Sequence, residues 1–491
     1  MHTDQQRRPD PHLDQAQRAA VTELLRVAPV VGELAGRFAA AGHTLALVGG
    51  PVRDALLGRL SDDLDFTTDA RPEQVLKLVQ GWAEAVWDVG IAFGTVGAQK
   101  SGAKLEITTF RSEAYDRDSR KPEVAYGDSI EDDLLRRDFT VNAMAVRLTA
   151  DPAKFEFVDP YGGLRDLDEG VLRTPGTPQM SFSDDPLRMM RAARFAAQLG
   201  FDVAPEVRQA MTDMGERLGI VSAERVQVEL SKLVLAARPR LGLTLMVDTG
   251  LAEYALPELP KLRLEIDEHH RHKDVYEHTL VVLERAIALE TEGPDLILRL
   301  AALLHDIGKP KTRRFEPGGG VSFHHHEVVG AHMTAARLRK LKYSKEIIDD
   351  TSRLVELHLR FHGYGEAEWT DSAVRRYVRD AGHLLERLHK LTRSDCTTRN
   401  RRRALVLEHA YDDLERRIAE LREQEELDSI RPDLDGNEIM AILGIKPGPE
   451  VGAAYKHMLE LRMEHGPLDH DTAVAELRSW WAQREAAQNQ A

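Results

Sequence analysis

Two carboxylates stand two residues apart in Asp63-Leu64-Asp65, inside the stretch LALVGGPVRDALLGRLSDDLDFTT from Leu45 to Thr68. On a strand, residues two apart share a face. Asp63 and Asp65 are therefore expected to point the same way, with Leu64 turned into the core. Such a pair suits Mg²⁺, a hard cation that takes oxygen ligands and substrate phosphates together.

The flanking elements must hold that pair in place. Leu45–Val48 is a short apolar run, readable as a buried strand. Gly49 and Gly50 let the backbone turn sharply and approach a ligand without a Cβ in the way. Val52 to Gly58 reads as a short helix with Arg53 and Asp54 near its start, and its N-terminal amides offer a seat for phosphate. Leu105 to Arg111 alternates as a strand. Glu106 on it is either a third carboxylate beside Asp63 and Asp65 or an outward strand residue. In this order and spacing, GGPVRDALLGR followed by DLDFTT resembles the nucleotidyltransferases of the DNA polymerase β type. It is similar to their class II branch, the bacterial CCA-adding tRNA nucleotidyltransferases and poly(A) polymerases.

The resemblance implies addition of C, C and A to the 3′ end of tRNA from CTP and ATP. It places Mg²⁺ at Asp63 and Asp65, and the nucleotide near Gly49, Gly50 and Arg53. RRDFTVNAMA, from Arg136 to Ala145, is similar to the family motif at the ribose and phosphates. Asp138 and Asn142 are then expected on a ribose hydroxyl, with Arg136 and Arg137 facing phosphates. SDDPLRMMRAARFAAQLGF resembles the acid-acid-x-x-Arg cluster that reads the incoming base, here Asp184, Asp185 and Arg188, followed by Arg191. Asp185 and Arg188 are i and i+3 and are expected on one helix face. Arginine can donate to N3 of cytosine or N1 of adenine, and aspartate can accept from either exocyclic amine. Guanine and uracil present the opposite pattern. The family usually has Glu at the first acidic position, where this chain has Asp184. The polar loop SEAYDRDSRKPEVAYGD, residues 112–128, stands where the family has a flexible loop that helps admit ATP. It argues against a CC-only enzyme, and TFRSEAY…RKPEV resembles the CCA group more than the poly(A) group; an A-adding enzyme stays open beside CCA addition, with a poly(A) polymerase as the further alternative. DPYGGLRDLDEGVLR reads as a glycine turn ending the head. SAERVQVELSKL resembles the helical neck motif, with charges that order the neck.

More than half of the 20 histidines fall between His269 and His362. The apolar run LILRLAALL leads into His305-Asp306-Ile307-Gly308-Lys309-Pro310, which resembles the HD phosphohydrolase superfamily. That resemblance implies a metal set of His278, His305, Asp306 and Asp395. His326 and His358 would be added ligands, as in two-metal members, and His324 and His325 surface residues. Imidazoles mixed with carboxylates suit Mn²⁺, Ni²⁺ or Co²⁺, and a bound metal lowers the pKa of its water. Phosphate or 2′,3′-cyclic phosphate ends of RNA are the expected targets. The alternatives are a folded but inactive domain, and an HD phosphohydrolase whose head only binds nucleotide.

At 491 residues the chain is long enough for several domains. Apolar residues make 42% and charged residues 30%, a soluble globular mixture without an apolar run of membrane-spanning length. The start, MHTDQQRRPDPHLDQ, lacks an apolar h-region. Cys396 is the single cysteine, so no internal disulfide forms and a cytoplasmic setting is expected. A net charge of −15 argues against a generally basic nucleic-acid binder. Local basic surfaces remain open, the clearest being RSDCTTRNRRR from Arg393 to Arg403. Strand candidates are Leu45–Val48, Leu64–Thr67, Gly94–Gln99, Lys104–Phe110, Asn142–Arg147 and Glu156–Val158. Mostly helix follows, and EPGGGVSF reads as a turn between helices or a small hairpin. The expected fold is α+β: a polymerase β-like head with a mixed sheet, then a mostly helical neck, HD domain and tail. The segments are 1–30 (extension and helix start), 31–170 (head), 171–258 (neck), 259–410 (HD) and 411–491 (tail). Within the tail, LDGNEIMAILGIKPGPEVG resembles the tRNA-holding end of the family.

Overall fold

Leu45, Ala46, Leu47 and Val48 form strand β1, and all four side chains are buried. A strand apolar on both faces belongs in the middle of a covered sheet, and β1 lies between two partners. β2 (Asp63–Thr68) pairs with one edge of β1 and β8 (Ala145–Leu148) with the other, both antiparallel. The remaining sheet strands are β3 (Ala85–Trp87), β4 (Thr95–Lys100), β5 (Ala103–Thr109) and β9 (Phe155–Val158). The sheet order is β3-β4-β5-β2-β1-β8-β9. Only β2 and β5 run parallel, so the sheet is mixed. Short pairs lie outside it: β6 (Arg111–Ser112) with β7 (Ala125–Tyr126), and β10 (Val171–Leu172) with β11 (Asp202–Val203).

The structure is a computed structural model. It describes residues 13–27, 29–59, 63–87, 90–91, 94–112, 125–127, 129–149, 151, 154–263, 274–317, 320–361, 369–396, 401–425 and 431–488. The chain divides into two units between Ala255 and Leu256. The first holds the sheet and a helical neck that includes Pro178–Asp184, Leu187–Leu199 and Ala223–Val234. Phe38, Phe66, Phe139 and Phe182 are among its fully buried side chains.

The second unit is almost wholly helical. Helix Leu296–Leu304 is buried along its length after its first residue. Asp295 starts it by accepting from Ile297 N at 3.0 Å and Leu298 N at 3.1 Å, an N-cap that satisfies otherwise orphaned donors. EPGGGVSF takes the hairpin form, with β12 (Arg314–Glu316) antiparallel to β13 (Gly320–Ser322). A smaller cluster around Leu434, Ile439, Met458 and Leu477 forms the core of the C-terminal helices. No helix among the described residues is long and apolar enough to cross a membrane.

Two local expectations change. Asn142 sits in the 3-10 turn Thr140–Asn142, and β8 begins only at Ala145. The edge strand β3 lies in no expected strand. Its residues are half or fully exposed, so it lacks the apolar alternation that marks a buried strand.

Candidate active site and metal centre

Leu64 is buried while Asp63 is exposed and Asp65 half-buried, so the two acids share the face that alternation requires. In the parallel register Asp65 lies opposite Glu106 and Asp63 opposite Lys104. Glu106 therefore stands beside Asp65, and also reaches Lys104 at 3.1 Å. Burial pushes the Asp65 carboxyl above the usual carboxylate range. Arg137 pulls it down, while the charges of Glu106 and Asp63 add to the rise. A carboxylate held among like charges is relieved by a cation, so these three side chains fit a divalent ion with oxygen ligands.

Behind the acids, Gly49 turns with φ 73° and ψ −132° into helix Gly50–Leu56. A Cβ built there would stand 2.7 Å from Nη1 of Arg137. The missing side chain thus lets a guanidinium lie against the turn. Nε of Arg137 and Nε of Arg136 are buried without a hydrogen-bond partner among the described residues.

Arg53, Asn142, Asp138 and Arg191 come together in one buried chain of contacts. Arg53 donates to both oxygens of Asp54 and, through Nη1, to Asn142 Oδ1 at 2.6 Å. Asn142 Nδ2 donates to Asp138 Oδ1 at 3.0 Å, and Arg191 Nε to Asp138 Oδ2 at 2.7 Å. Burial raises the Asp138 carboxyl, but Arg191 and the Asn142 amide more than offset it and hold the pKa at about 2. Asp138 and Asn142 are thus first of all a brace. A ribose contact would use the acceptor and donor capacity left over.

The Asp184, Asp185 and Arg188 cluster departs from the expected helix geometry. Helix Pro178–Asp184 stops before Asp185, which is extended at φ −141°, and the next helix starts at Leu187. Pro186 separates the two, since proline cannot donate to a helix passing through it. Asp185 and Arg188 therefore do not lie on one helix face. Asp185 caps the second helix by accepting from Leu187 N at 3.1 Å. Its other oxygen accepts from Arg225 at 2.7 Å. Arg188 donates to Ser181 Oγ at 2.9 Å and to the Arg136 carbonyl. Asp184 is half-buried at the end of its helix.

Arg225 and Glu229, both in the neck motif, reach this machinery. Glu229 pairs with Arg194 at 2.6 Å and lies 3.8 Å from Arg191. Residues 35 to 40 positions apart in sequence meet here, and helical spacing gives no sign of such pairs. Spacing showed only that the motif was charged.

In the second unit, His278, His305 and Asp395 converge, as do Asp306, His326 and His358. Five of these six stand at helix ends: His305 and Asp306 just after Leu296–Leu304, His326 at the start of His326–Lys340, His358 just after Lys345–Leu357, and Asp395 at the end of Leu385–Asp395. Asp306 joins the two groups. Its Oδ2 lies 3.2 Å from His305 Nε2 and 3.6 Å from His278 Nε2, and its Oδ1 lies 3.3 Å from His326 Nε2. His278 Nε2 is 2.9 Å from Asp395 Oδ1. Gly308 permits this approach, because a Cβ there would fall 2.2 Å from the His326 carbonyl oxygen.

Three ring orientations fit a metal centre. Nδ1 of His305, His326 and His358 each faces a backbone carbonyl, at 2.9, 2.8 and 2.6 Å. With the proton on Nδ1, the Nε2 lone pair faces the centre, the usual arrangement of a metal-ligating histidine. Nε2 of all three and Oδ1 of Asp306 are buried without a hydrogen-bond partner among the described residues. Burial, then the charge on His305, pushes His358 down to about 4, so it is neutral at pH 7. Burial opposes charge on His305 too, but Asp306 and Asp395 raise its pKa. A divalent cation at the same place would displace that proton. His324 and His325 are exposed, as expected.

Arg393 does not face outward as a nucleic-acid patch would require. It pairs with Asp412 at 2.8 Å and Glu415 at 3.1 Å. Residues 397–400 of that run lie outside the described residues, as does most of the loop at 112–128.

Three family descriptions match the chain. "Poly A polymerase head domain" matches residues 45–173, "Probable RNA and SrmB- binding site of polymerase A" residues 200–262, and "HD domain" residues 275–399. An A-adding tRNA nucleotidyltransferase of Deinococcus radiodurans is 33% identical over 85% of this chain and 91% of its own length. The chain belongs to the tRNA nucleotidyltransferase family. A CC-adding member from Thermus thermophilus is also 33% identical, over 89% of this chain and 94% of its own length. A CCA-adding enzyme of Anoxybacillus flavithermus is 40% identical over 46% of this chain and 54% of its own length. Matches to such CCA-adding relatives span about half their length. The crystal structure of the Bacillus stearothermophilus CCA-adding enzyme with CTP has a TM-score of 0.67 at 24% identity, covering 93% of this chain and 98% of that one. The shared fold is a mixed-sheet head followed by helices. As a family member the chain is a nucleotidyltransferase, and its HD segment carries a candidate metal centre.

Proposed function

We propose that this chain adds C, C and A to the 3′ end of tRNA from CTP and ATP, without a nucleic-acid template. The observation that carries the proposal is the Asp63–Asp65 pair on one face of β2, beside the Gly49 turn and Arg137. Asp63 and Asp65, with Glu106 alongside, would hold Mg²⁺. That ion would neutralise the triphosphate and the departing pyrophosphate. The tRNA 3′-hydroxyl passes its proton to solvent water and its oxygen bonds to the α-phosphorus, while the bond from that phosphorus to pyrophosphate breaks. Arg136 and Arg137 face the phosphates with donors still unmatched, and Gly49 and Gly50 keep side chains out of the way. Arg53, Asp138, Asn142 and Arg191 brace this wall. Arg188 and Asp185 read the base edge, Arg188 using N–H groups beyond those spent on Ser181 and Arg136.

The test replaces each acid singly. Asp63→Ala or Asp65→Ala should abolish CMP incorporation while tRNA binding stays within a few-fold. Normal incorporation by either folded variant would overturn the assignment.

A second reading, addition of A alone, is favoured by the name of the Deinococcus relative, which the chain follows over most of its length. It predicts use of ATP on a tRNA already ending in CC and no use of CTP.

The HD centre adds a separate activity in this proposal, a metal-dependent phosphohydrolase. Water bonds to phosphorus, a phosphorus–ribose oxygen bond breaks, and the freed oxygen takes the proton. Acting on 2′,3′-cyclic phosphate or phosphate ends, it would help restore the hydroxyl that the head extends. Mn²⁺, Ni²⁺ and Co²⁺ suit its imidazole and carboxylate donors.

A further inference from the structure

The segment joining two ligands of the HD centre, Asp306 and His326, is basic in a chain of net charge −15. Lys309, Lys311, Arg313 and Arg314 stand in six residues, and Glu316 is the nearest acid after them. The strip begins at the centre itself, because Lys309 Nζ lies 2.6 Å from Asp306 Oδ2. It runs through the short helix Lys309–Thr312 into the hairpin of β12 and β13. All three residues of β12 are exposed, and Phe315 keeps 69% of its surface. The Arg313 guanidinium lies over the Phe315 ring, 4.7 Å from its centroid. One exposed aromatic residue is ordinary on a protein surface. One topped by arginine, on a cationic strip that starts at a metal ligand, is not.

We infer that this hairpin is a docking surface for single-stranded RNA, with Phe315 as a base-stacking platform that directs a phosphate-bearing 3′ end toward the HD centre. Cations along the strip match a phosphodiester backbone, and an open ring face accepts any base. Arg313 adds a charged edge to the same stack. On β12 the side chains alternate, so Phe315 points to one face while Arg314 and Glu316 point to the other. The inference rests on the phosphohydrolase reading for its chemistry and on the hairpin alone for its binding.

Full-length protein loaded with Mn²⁺ is assayed on a mononucleoside 2′,3′-cyclic phosphate and on a short single-stranded RNA with the same end. The ratio of kcat/KM for RNA to that for the mononucleotide should fall about ten-fold in Phe315→Ala, the size of one lost base stack. In Arg313→Ala/Arg314→Ala, the salt dependence of KM for RNA should flatten. If wild type turns over both substrates and neither variant moves these quantities, the docking surface is overturned and the phosphohydrolase reading stands. If wild type turns over neither, that reading fails and Phe315→Trp decides the surface by itself. Quenching of its added fluorescence by 3′-phosphorylated RNA would support the surface, and no quenching would overturn it.

Discussion

Arg191 holds Asp138 through two nitrogens on one oxygen, Nε at 2.7 Å and Nη2 at 2.6 Å from Oδ2. The pair ties the neck helix Leu187–Leu199 to the Arg136–Ala145 segment of the head. Removing one partner of a buried pair leaves a charge uncompensated, at about 3–5 kcal/mol. Arg191 keeps 34% of its surface, so the expected cost of Arg191→Ala is nearer 2 kcal/mol. Its melting midpoint should fall by several degrees. A midpoint equal to wild type would show that the pair does not brace the head.

The same pair sets a pH dependence. The folded carboxyl titrates at about 2, below its ordinary value of 3.8. Its stabilisation is therefore present above pH 4 and is lost as pH falls from 4 to 2, to the extent of about 2 kcal/mol. Asp138→Asn should flatten that part of an acid-unfolding curve. An unchanged curve would contradict the depressed value.

Base selection should depend on a residue in the neck. Arg225 holds Asp185 at 2.7 Å, so under the proposed function it is a positioning residue for the acid that would read the base. Arg225→Ala should raise UTP misincorporation relative to CTP several-fold, and Arg225→Lys should recover part of the selectivity. Arg188→Ala should lose selectivity, or lose CTP and ATP use together. Unchanged discrimination in both Arg225→Ala and Arg188→Ala would separate this cluster from base reading.

How much of this could be read in the sequence depended on the range of the interaction. Asp63 and Asp65 were legible because strand alternation is local; the glycines of EPGGGVSF marked a turn but did not choose between a hairpin and a turn between helices. The candidate metal ligands came from the resemblance to HD proteins rather than from local periodicity. That Asp306 bridges two groups needs the three-dimensional closeness of His326, which Gly308 permits. Asp185 was placed on a helix by spacing, yet Pro186 breaks the helix first. The contacts of Arg225, Glu229 and Arg191 join distant segments and left no mark in local periodicity.

Gly49 should tolerate no side chain. Its φ of 73° and the 2.7 Å approach of Arg137 mean that Gly49→Ala adds strain of about 1–3 kcal/mol and shifts a guanidinium beside the acids. CMP incorporation should fall ten-fold or more, with the fold retained by circular dichroism. Full activity would show that the turn has slack.

The HD centre should take up two ions per chain. Elemental analysis of protein exposed to Mn²⁺ or Ni²⁺ should find close to two in wild type and close to one in His326→Ala. His305→Ala/Asp306→Ala should hold almost none, because each group loses one of its members and Asp306 also lies against His278 and His305. Nucleotide addition by the head should survive in both variants. Equal metal content in all three proteins would contradict the assignment.

The most direct measurement supplies tRNA lacking its 3′ end with each nucleoside triphosphate singly and in pairs. CTP alone should extend it by two residues, CTP with ATP by three, and GTP or UTP by none. Extension by ATP only, and only of tRNA that already ends in CC, would contradict CCA synthesis, and extension under no condition would contradict the account of the head itself.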